Sequence, residues 1–160
     1  MKTNLITLEG YEKLVNELDN LWRKERPEIT RIVSWAAGLG DRSENADYKY
    51  NKQRLREIDR RVRYIRKRLD EVRVVDYNPC QEGKVYFGCW AELISGDGER
   101  LRFRIVGPDE IYGQSDYVSI DAPIARACIG KSEGDDVFVK TPLSEKTWCI
   151  KKIWYKNLQG

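Results

Sequence analysis

The stretch GDRSENADYKYNKQRLREIDRRVRYIRKRLDEV, residues 40–72, decides the fold. Within it Tyr48, Asn51, Leu55, Ile58, Val62, Ile65, Leu69 and Val72 recur at alternating steps of three and four. The positions between them are polar except Tyr50 and Tyr64. That spacing predicts a helix with a narrow apolar seam, in which Asn51, the one polar seam residue, is expected to fix register. A second periodic stretch comes first: Tyr11, Leu14, Leu18, Leu21, Ile29, Ile32 and Ala36, with Thr7 as a candidate cap. Pro27 interrupts it and predicts a kink or a break, because proline removes a helical hydrogen bond and clashes with the preceding turn. Gly38 and Gly40 then predict a stop. Two helices of about 25–30 residues joined by a short turn favour antiparallel neighbours about 40 Å long. Residues 1–76 therefore read as a helical hairpin that carries Asp41 and Glu44 at its far end.

Beyond Val75-Asp76-Tyr77-Asn78-Pro79 the pattern changes to strands. Val85–Ile94 is apolar and aromatic, Ser95-Gly96-Asp97-Gly98 is a turn, and Leu101, Phe103 and Ile105 alternate with arginines. Tyr117–Ile120 reads as a short strand. Pro123–Ile129 reads as a short helix opened by Asp121 and closed by Gly130. Val137–Val139 and Trp148–Tyr155 complete a small antiparallel sheet. The expected fold class is α+β, with the hairpin followed by a sheet domain over residues 80–158.

Composition narrows the function classes. A net charge of +3 in 160 residues is too small to argue nucleic-acid binding. The distribution says more: Lys49 to Arg73 holds eleven basic residues against Glu57, Asp59, Asp70 and Glu71. Cys80, Cys89, Cys128 and Cys149 form no C-x-x-C and there is no histidine, so no structural zinc is expected. No secretion signal and no membrane span are expected, which points to a cytoplasmic protein with reduced cysteines. The five tryptophans are core candidates, except Trp35 beside the turn.

Two groups of residues carry candidate chemistry. Asp41 and Glu44, at i and i+3, fit a helix-capping arrangement. They also fit two oxygen ligands on one face for Mg2+, too few to hold the ion without further ligands. Asp47 is either support or a solvated acid, Ser43 and Asn45 are candidates to orient water, and Tyr48 reads as packing. Lys49, Lys52, Arg56 and Arg60 advance by three and four and can line one helix face. That face is either a solvated flank with ion pairs such as Glu57–Arg61 or a track for nucleic-acid phosphates.

The segments LEGYEKLVNELDNL, RPEIT, GDRSENADYKYNKQRLREIDRRVRYI, FRIVGPDE, SIDAPIARACIGKSEGDDV and TPLSEKTW resemble, in order, the bacterial Gre family of transcript cleavage factors. The dense basic run and WAAGLGDRSENADY look more like the GreB branch than the GreA branch. The resemblance covers essentially the whole chain. It implies a coiled-coil hairpin followed by an FKBP-like domain, acting as a single copy on bacterial RNA polymerase. The hairpin would enter the polymerase secondary channel and promote the polymerase's cleavage of backtracked nascent RNA, without nuclease activity of its own. Asp41 and Glu44 would be the catalytic tip, sharing a second Mg2+ with the polymerase. Lys52, Arg54 and Arg56 would meet the RNA, and Asp121 and Pro123 would belong to the docking surface. Thr141-Pro142-Leu143-Ser144-Glu145 departs from the glycine turn frequent in the family. Three rivals stand beside this reading: a channel-binding inhibitor, an RNA-binding arm without a polymerase partner, and a prolyl isomerase.

Overall fold

The computed structural model describes residues 3–39, 45–76 and 79–155. They fall into two units, Tyr11–Val72 and a second made of Met1–Gly10 with Arg73–Gly160. Both ends of the hairpin segment, residues up to 10 and from 73, belong to the sheet unit.

The helical unit holds most of α1 (Leu8–Asn20), α2 (Arg26–Ala37) and α3 (Ala46–Glu71). Pro27 neither breaks nor ends the first arm. A π-helical turn, Leu21–Glu25, joins α1 to α2, with the Arg26 N–H donating to the Leu21 carbonyl five residues back. A widened turn just ahead of a proline relieves the clash its ring would make with the preceding carbonyls, and the chain stays helical. The seams expected from spacing are the buried ones: Leu14, Leu21 and Ala36 on the first arm, Ile58, Val62 and Ile65 on α3. Asn51 is buried as well, but its side-chain amide donates to the Asp47 carbonyl of its own helix, 2.9 Å away. Its hydrogen bond is therefore local, not the register pin expected of it. Trp22 is 43% exposed, against the expectation of a core residue, and lies under the guanidinium groups of Arg66 and Arg26.

The sheet unit is built on five strands in the order β5-β4-β3-β7-β6: β3 Trp90–Ser95, β4 Arg100–Val106, β5 Tyr117–Ser119, β6 Asp136–Lys140 and β7 Glu145–Trp154. One face is apolar except for the buried Ser95. Ala91, Leu93, Phe103, Ile105 and Ile150 are buried there together with Ala125 and Cys128 of the helix α4, Pro123–Cys128. The sheet is mixed rather than antiparallel, because β5 runs parallel to β4. The connection through Pro108–Glu110 carries the chain back before β5 begins. Val85–Cys89 is not part of a strand. Gly88 turns there with φ +88, a conformation that side-chain-bearing residues rarely adopt.

A second, two-stranded sheet pairs β1 (Leu5–Ile6) in parallel with β2 (Arg73–Val74), so the segments before α1 and after α3 are joined. Thr7 caps α1 as expected: its hydroxyl accepts from the Gly10 N–H at 3.1 Å. Glu110 completes the join. Its carboxylate accepts from the Thr7 N–H at 3.0 Å, from the Thr7 hydroxyl and from the Gly107 N–H at 2.7 Å. A carboxylate at a helix start also opposes the positive end of the helix dipole.

Candidate functional site

The end of the hairpin is held by backbone and side-chain hydrogen bonds on both sides. On the α2 side the Gly38 N–H reaches the Ser34 and Trp35 carbonyls and the Leu39 N–H reaches Ala36, at 3.1–3.2 Å. On the α3 side Asn45 has an extended backbone (φ −82, ψ 102), and its side-chain oxygen accepts from the Tyr48 N–H at 3.1 Å. This is an N-cap, which satisfies one of the donors a helix start leaves free. The Asn45 amide NH2 donates across the hairpin to the Ala36 carbonyl at 2.8 Å. Asn45 thus spends one donor and one acceptor on the backbone of the two arms. Asp41 and Glu44, and Ser43 with them, lie outside the described residues, between these two anchored ends. Asp47 is exposed in the first turn of α3, and Tyr48 is half-buried.

Helix α3 sorts its cations. Arg54 is held by Glu25 of the facing arm, with its Nε at 2.9 Å, and by Glu57 at 3.4 Å. Arg61 makes two bonds to Glu17, at 2.6 and 2.9 Å, and Asp59 receives Arg26 at 2.8 Å. The carboxylate partners raise the pKa of Arg26 and Arg54 further, Arg26 mainly through the Asp59 hydrogen bond and Arg54 mainly through the Glu25 one. Except for Arg54–Glu57 within α3, these pairs cross from one arm to the other and tie the hairpin. Lys49, Lys52, Arg56, Arg60, Arg63 and Lys67 are instead exposed and form no ion pair among the described residues. At about 100° per residue all six fall within one narrow face of the helix, away from the seam, over about 27 Å. Lys52 donates to Tyr48, its Nζ 2.9 Å from the phenol oxygen. The residue-by-residue expectation therefore divides: Lys52 and Arg56 are on the unpaired stripe, and Arg54 holds the two arms together. The stripe also extends past Arg60 to Arg63 and Lys67, which the three-and-four spacing would have revealed if continued.

Asp121 and Pro123 precede and open α4. Asp121 does not cap the helix; Ala122 occupies that position with no side-chain cap. The Asp121 carboxylate accepts from the Thr3 N–H at 2.9 Å and from the Thr3 hydroxyl, with Arg126 at 4.0 Å. Burial opposes its ionisation, but these hydrogen bonds and Arg126 outweigh it and hold the carboxyl below its ordinary range. The sign follows directly. A depressed folded-state pKa stabilises the fold above the ordinary carboxylate pKa of about 3.9, and that contribution disappears as pH falls through the lower folded value. Acid titration of the Asp121 carboxyl carbon by NMR should give a midpoint below that of a free aspartate, and Thr3→Ala should move it upward. An unchanged midpoint in the variant would contradict the assignment. Pro123 and Arg126 are exposed beside it.

The family model "Transcription elongation factor, N-terminal" matches residues 4–74, and "Transcription elongation factor, GreA/GreB, C-term" matches residues 80–155. The chain belongs to the GreA/GreB family of transcription elongation factors. Similar proteins include a transcription elongation factor GreB of Pseudomonas putida, 64% identical over 97% of this chain and 96% of its own length. A GreB of Pseudomonas syringae pv. tomato is 59% identical over 98% and 100%, and one of Vibrio vulnificus 60% identical over 99% and 100%.

In this Gre-family chain the cysteines that the sheet buries are chemically quiet. Burial pushes the Cys89 thiol up to about 12 and the Cys128 thiol up to about 11, so neither is a thiolate near neutrality. Among the described residues no cluster of three or more His, Cys, Asp or Glu is placed to hold a metal, and no helix is long and apolar enough to cross a membrane. The clamp by Asn45 and the anchor by Glu110 were missed in the sequence. The clamp's acceptor is a main-chain carbonyl, which leaves no mark on residue spacing.

Proposed function

We propose that this chain inserts its helical hairpin into the secondary channel of bacterial RNA polymerase and stimulates the polymerase's own cleavage of backtracked RNA. The observation that carries this reading is the division of charge on α3, in a chain of the Gre family. The cations of the run from Lys49 to Arg68 include paired ones that tie the arms and an unpaired exposed stripe that runs toward the tip. A solvated flank maintained by ion pairs does not leave six like charges on one face, because like charges destabilise a helix at that spacing. A polyanion laid along the face compensates them.

At the tip, Asp41 and Glu44 supply hard oxygen donors of the type Mg2+ prefers, and two carboxylates match the small number of protein ligands such ions usually take. When bound there, Mg2+ would polarise the phosphodiester and activate the attacking water. The chain's part is to bring the two carboxylates to the polymerase active site, hold them at a fixed spacing, and guide the RNA with Lys52, Arg56 and the rest of the stripe. Asp121 and Pro123 contribute the docking surface, with Thr3 fixing the Asp121 carboxylate.

The test is RNA cleavage in stalled, backtracked elongation complexes. Addition of the unmodified protein should shorten the RNA and restore elongation. Protein that binds the polymerase without stimulating cleavage would identify a channel-blocking regulator instead. The stripe has its own signature. Lys52→Gln with Arg56→Gln should weaken cleavage of long backtracked RNA and reduce the slope of log activity against log salt by about 0.7 for each phosphate left without its cation. Arg54→Gln should leave that slope intact and cost no more than about 1 kcal/mol of stability, as expected for a partly exposed ion pair. Equal slopes in the double variant and the unmodified protein would remove the stripe from the mechanism.

A further inference from the structure

We infer that Asn45 is a positioning residue for the tip, acting through a clamp made by one side chain. The inference rests on the tip reading above and deepens it. Its basis is the pair of hydrogen bonds on either side of a single amide. The oxygen caps α3 through Tyr48, and the NH2 group crosses to the Ala36 carbonyl of α2. Asn is the residue that does both: aspartate and serine cap helices equally well, but an ionised aspartate has no donor and a serine hydroxyl is too short to reach the other arm while capping its own. Ala36 is fully buried, so its carbonyl sits on the packed seam and is a fixed reference point. On the α2 side, Gly38 and Leu39 turn their N–H groups back onto Ser34, Trp35 and Ala36. The residues that flank 40–44 on either side are thus anchored to the same turn of the same helix.

The energetic consequence concerns geometry rather than affinity. Fixing both ends of a short connection lowers the number of arrangements available to the groups it carries, so less freedom is lost when they meet the reacting atoms. Catalytic positioning is steep in distance; a displacement of about 1 Å costs up to about a hundredfold in rate. The docking surface and the cation stripe lie on other residues and remain as they are when the clamp is removed.

The test uses the full chain with Asn45→Ser, which keeps the cap acceptor and removes the cross-hairpin donor. Asn45→Ala, which removes both, and Asp41→Asn serve as references. With Asn45→Ser at saturating factor, the maximal cleavage rate should fall about tenfold. The factor concentration for half-saturation should stay unchanged, and the Mg2+ concentration for half-maximal rate should rise. Asn45→Ala should show the same loss and an additional fall in helix stability. A second measurement does not depend on cleavage: backbone amide order parameters at Gly38, Leu39 and Asn45, the anchored flanks, should drop in Asn45→Ser relative to the unmodified protein. Unchanged order parameters overturn the clamp. So does cleavage by Asn45→Ser at the unmodified rate when Asp41→Asn has lost stimulation. If Asp41→Asn retains stimulation while the order parameters drop in Asn45→Ser, the clamp holds and the reading of the tip as the chemical element fails.

Discussion

Asp41→Asn and Glu44→Gln should each reduce stimulated RNA cleavage by at least about a hundredfold while polymerase binding is retained, the scale seen when one preorganised charge is removed from a reaction centre. Both substitutions are nearly isosteric, so the side chains keep their size and the anchors at Asn45 and Leu39 are untouched. What changes is the charge and the quality of the oxygen donors, and a neutral amide is a poor ligand for a hard divalent cation. Asp121 and Pro123, proposed above for docking, belong to the other unit, so affinity for the polymerase is expected to be unaffected. Cleavage rate and occupancy must be measured together, because a variant that fails to bind mimics a chemical defect. Full stimulation by either variant at equal occupancy would sink the proposed role.

The second large effect is on stability. Gly107→Ala should destabilise the sheet unit by about 3 kcal/mol, in the range of overpacking a filled site. A Cβ at Gly107 would lie 2.0 Å from the Leu5 carbonyl oxygen, a main-chain atom of β1 that cannot swing aside. The clash separates β1 from the turn that carries Glu110 and thereby endangers the Thr7 and Gly107 hydrogen bonds to that carboxylate. Gly107 has φ −73, so the cost comes from the close approach and not from backbone preference. Gly10→Ala should cost less, roughly 1–2 kcal/mol, because its Cβ meets the end of the Glu110 side chain, which can move at the expense of its hydrogen bonds. Calorimetry should show a fall of roughly 10–20 °C for Gly107→Ala. A shift no larger than that of Gly10→Ala would mean that β1 yields easily.

The hairpin was legible because its seams repeat. The steps of three and four from Asn51 to Leu69 leave little alternative to a helix, and Ile58, Val62 and Ile65 are buried as that pattern requires. Thr7 and the turn at Ser95–Gly98 were legible for a related reason, since caps and tight turns have their own residue preferences. The pairing of Leu5–Ile6 with Arg73–Val74 was not. Two residues are too few for an alternation, and their partners are far apart in the chain. The parallel placement of β5 was hidden too, because strand direction depends on the path of the connection and not on the strand's own residues. The sorting of the α3 cations required knowing which acids of the other arm face them. Glu17 and Glu25 gain that role only when the arms are packed. Asp41 and Glu44 could be picked out from the sequence by type and spacing, and both lie outside the described residues.

The turn at Leu21–Glu25 has a consequence for rotational phase. Leu14 and Leu21 are one heptad apart, as are Ile29 and Ala36, but Leu21 and Ile29 are separated by one residue more. One extra residue in an uninterrupted α-helix would rotate everything after it by about 100°. The wide turn absorbs that residue, so the apolar seam meets α3 on both sides of Pro27. Viewed this way, the turn is an insertion that the arm has accommodated. Helix α2 keeps the azimuth of its seam because the five residues before it are wound more loosely than their neighbours.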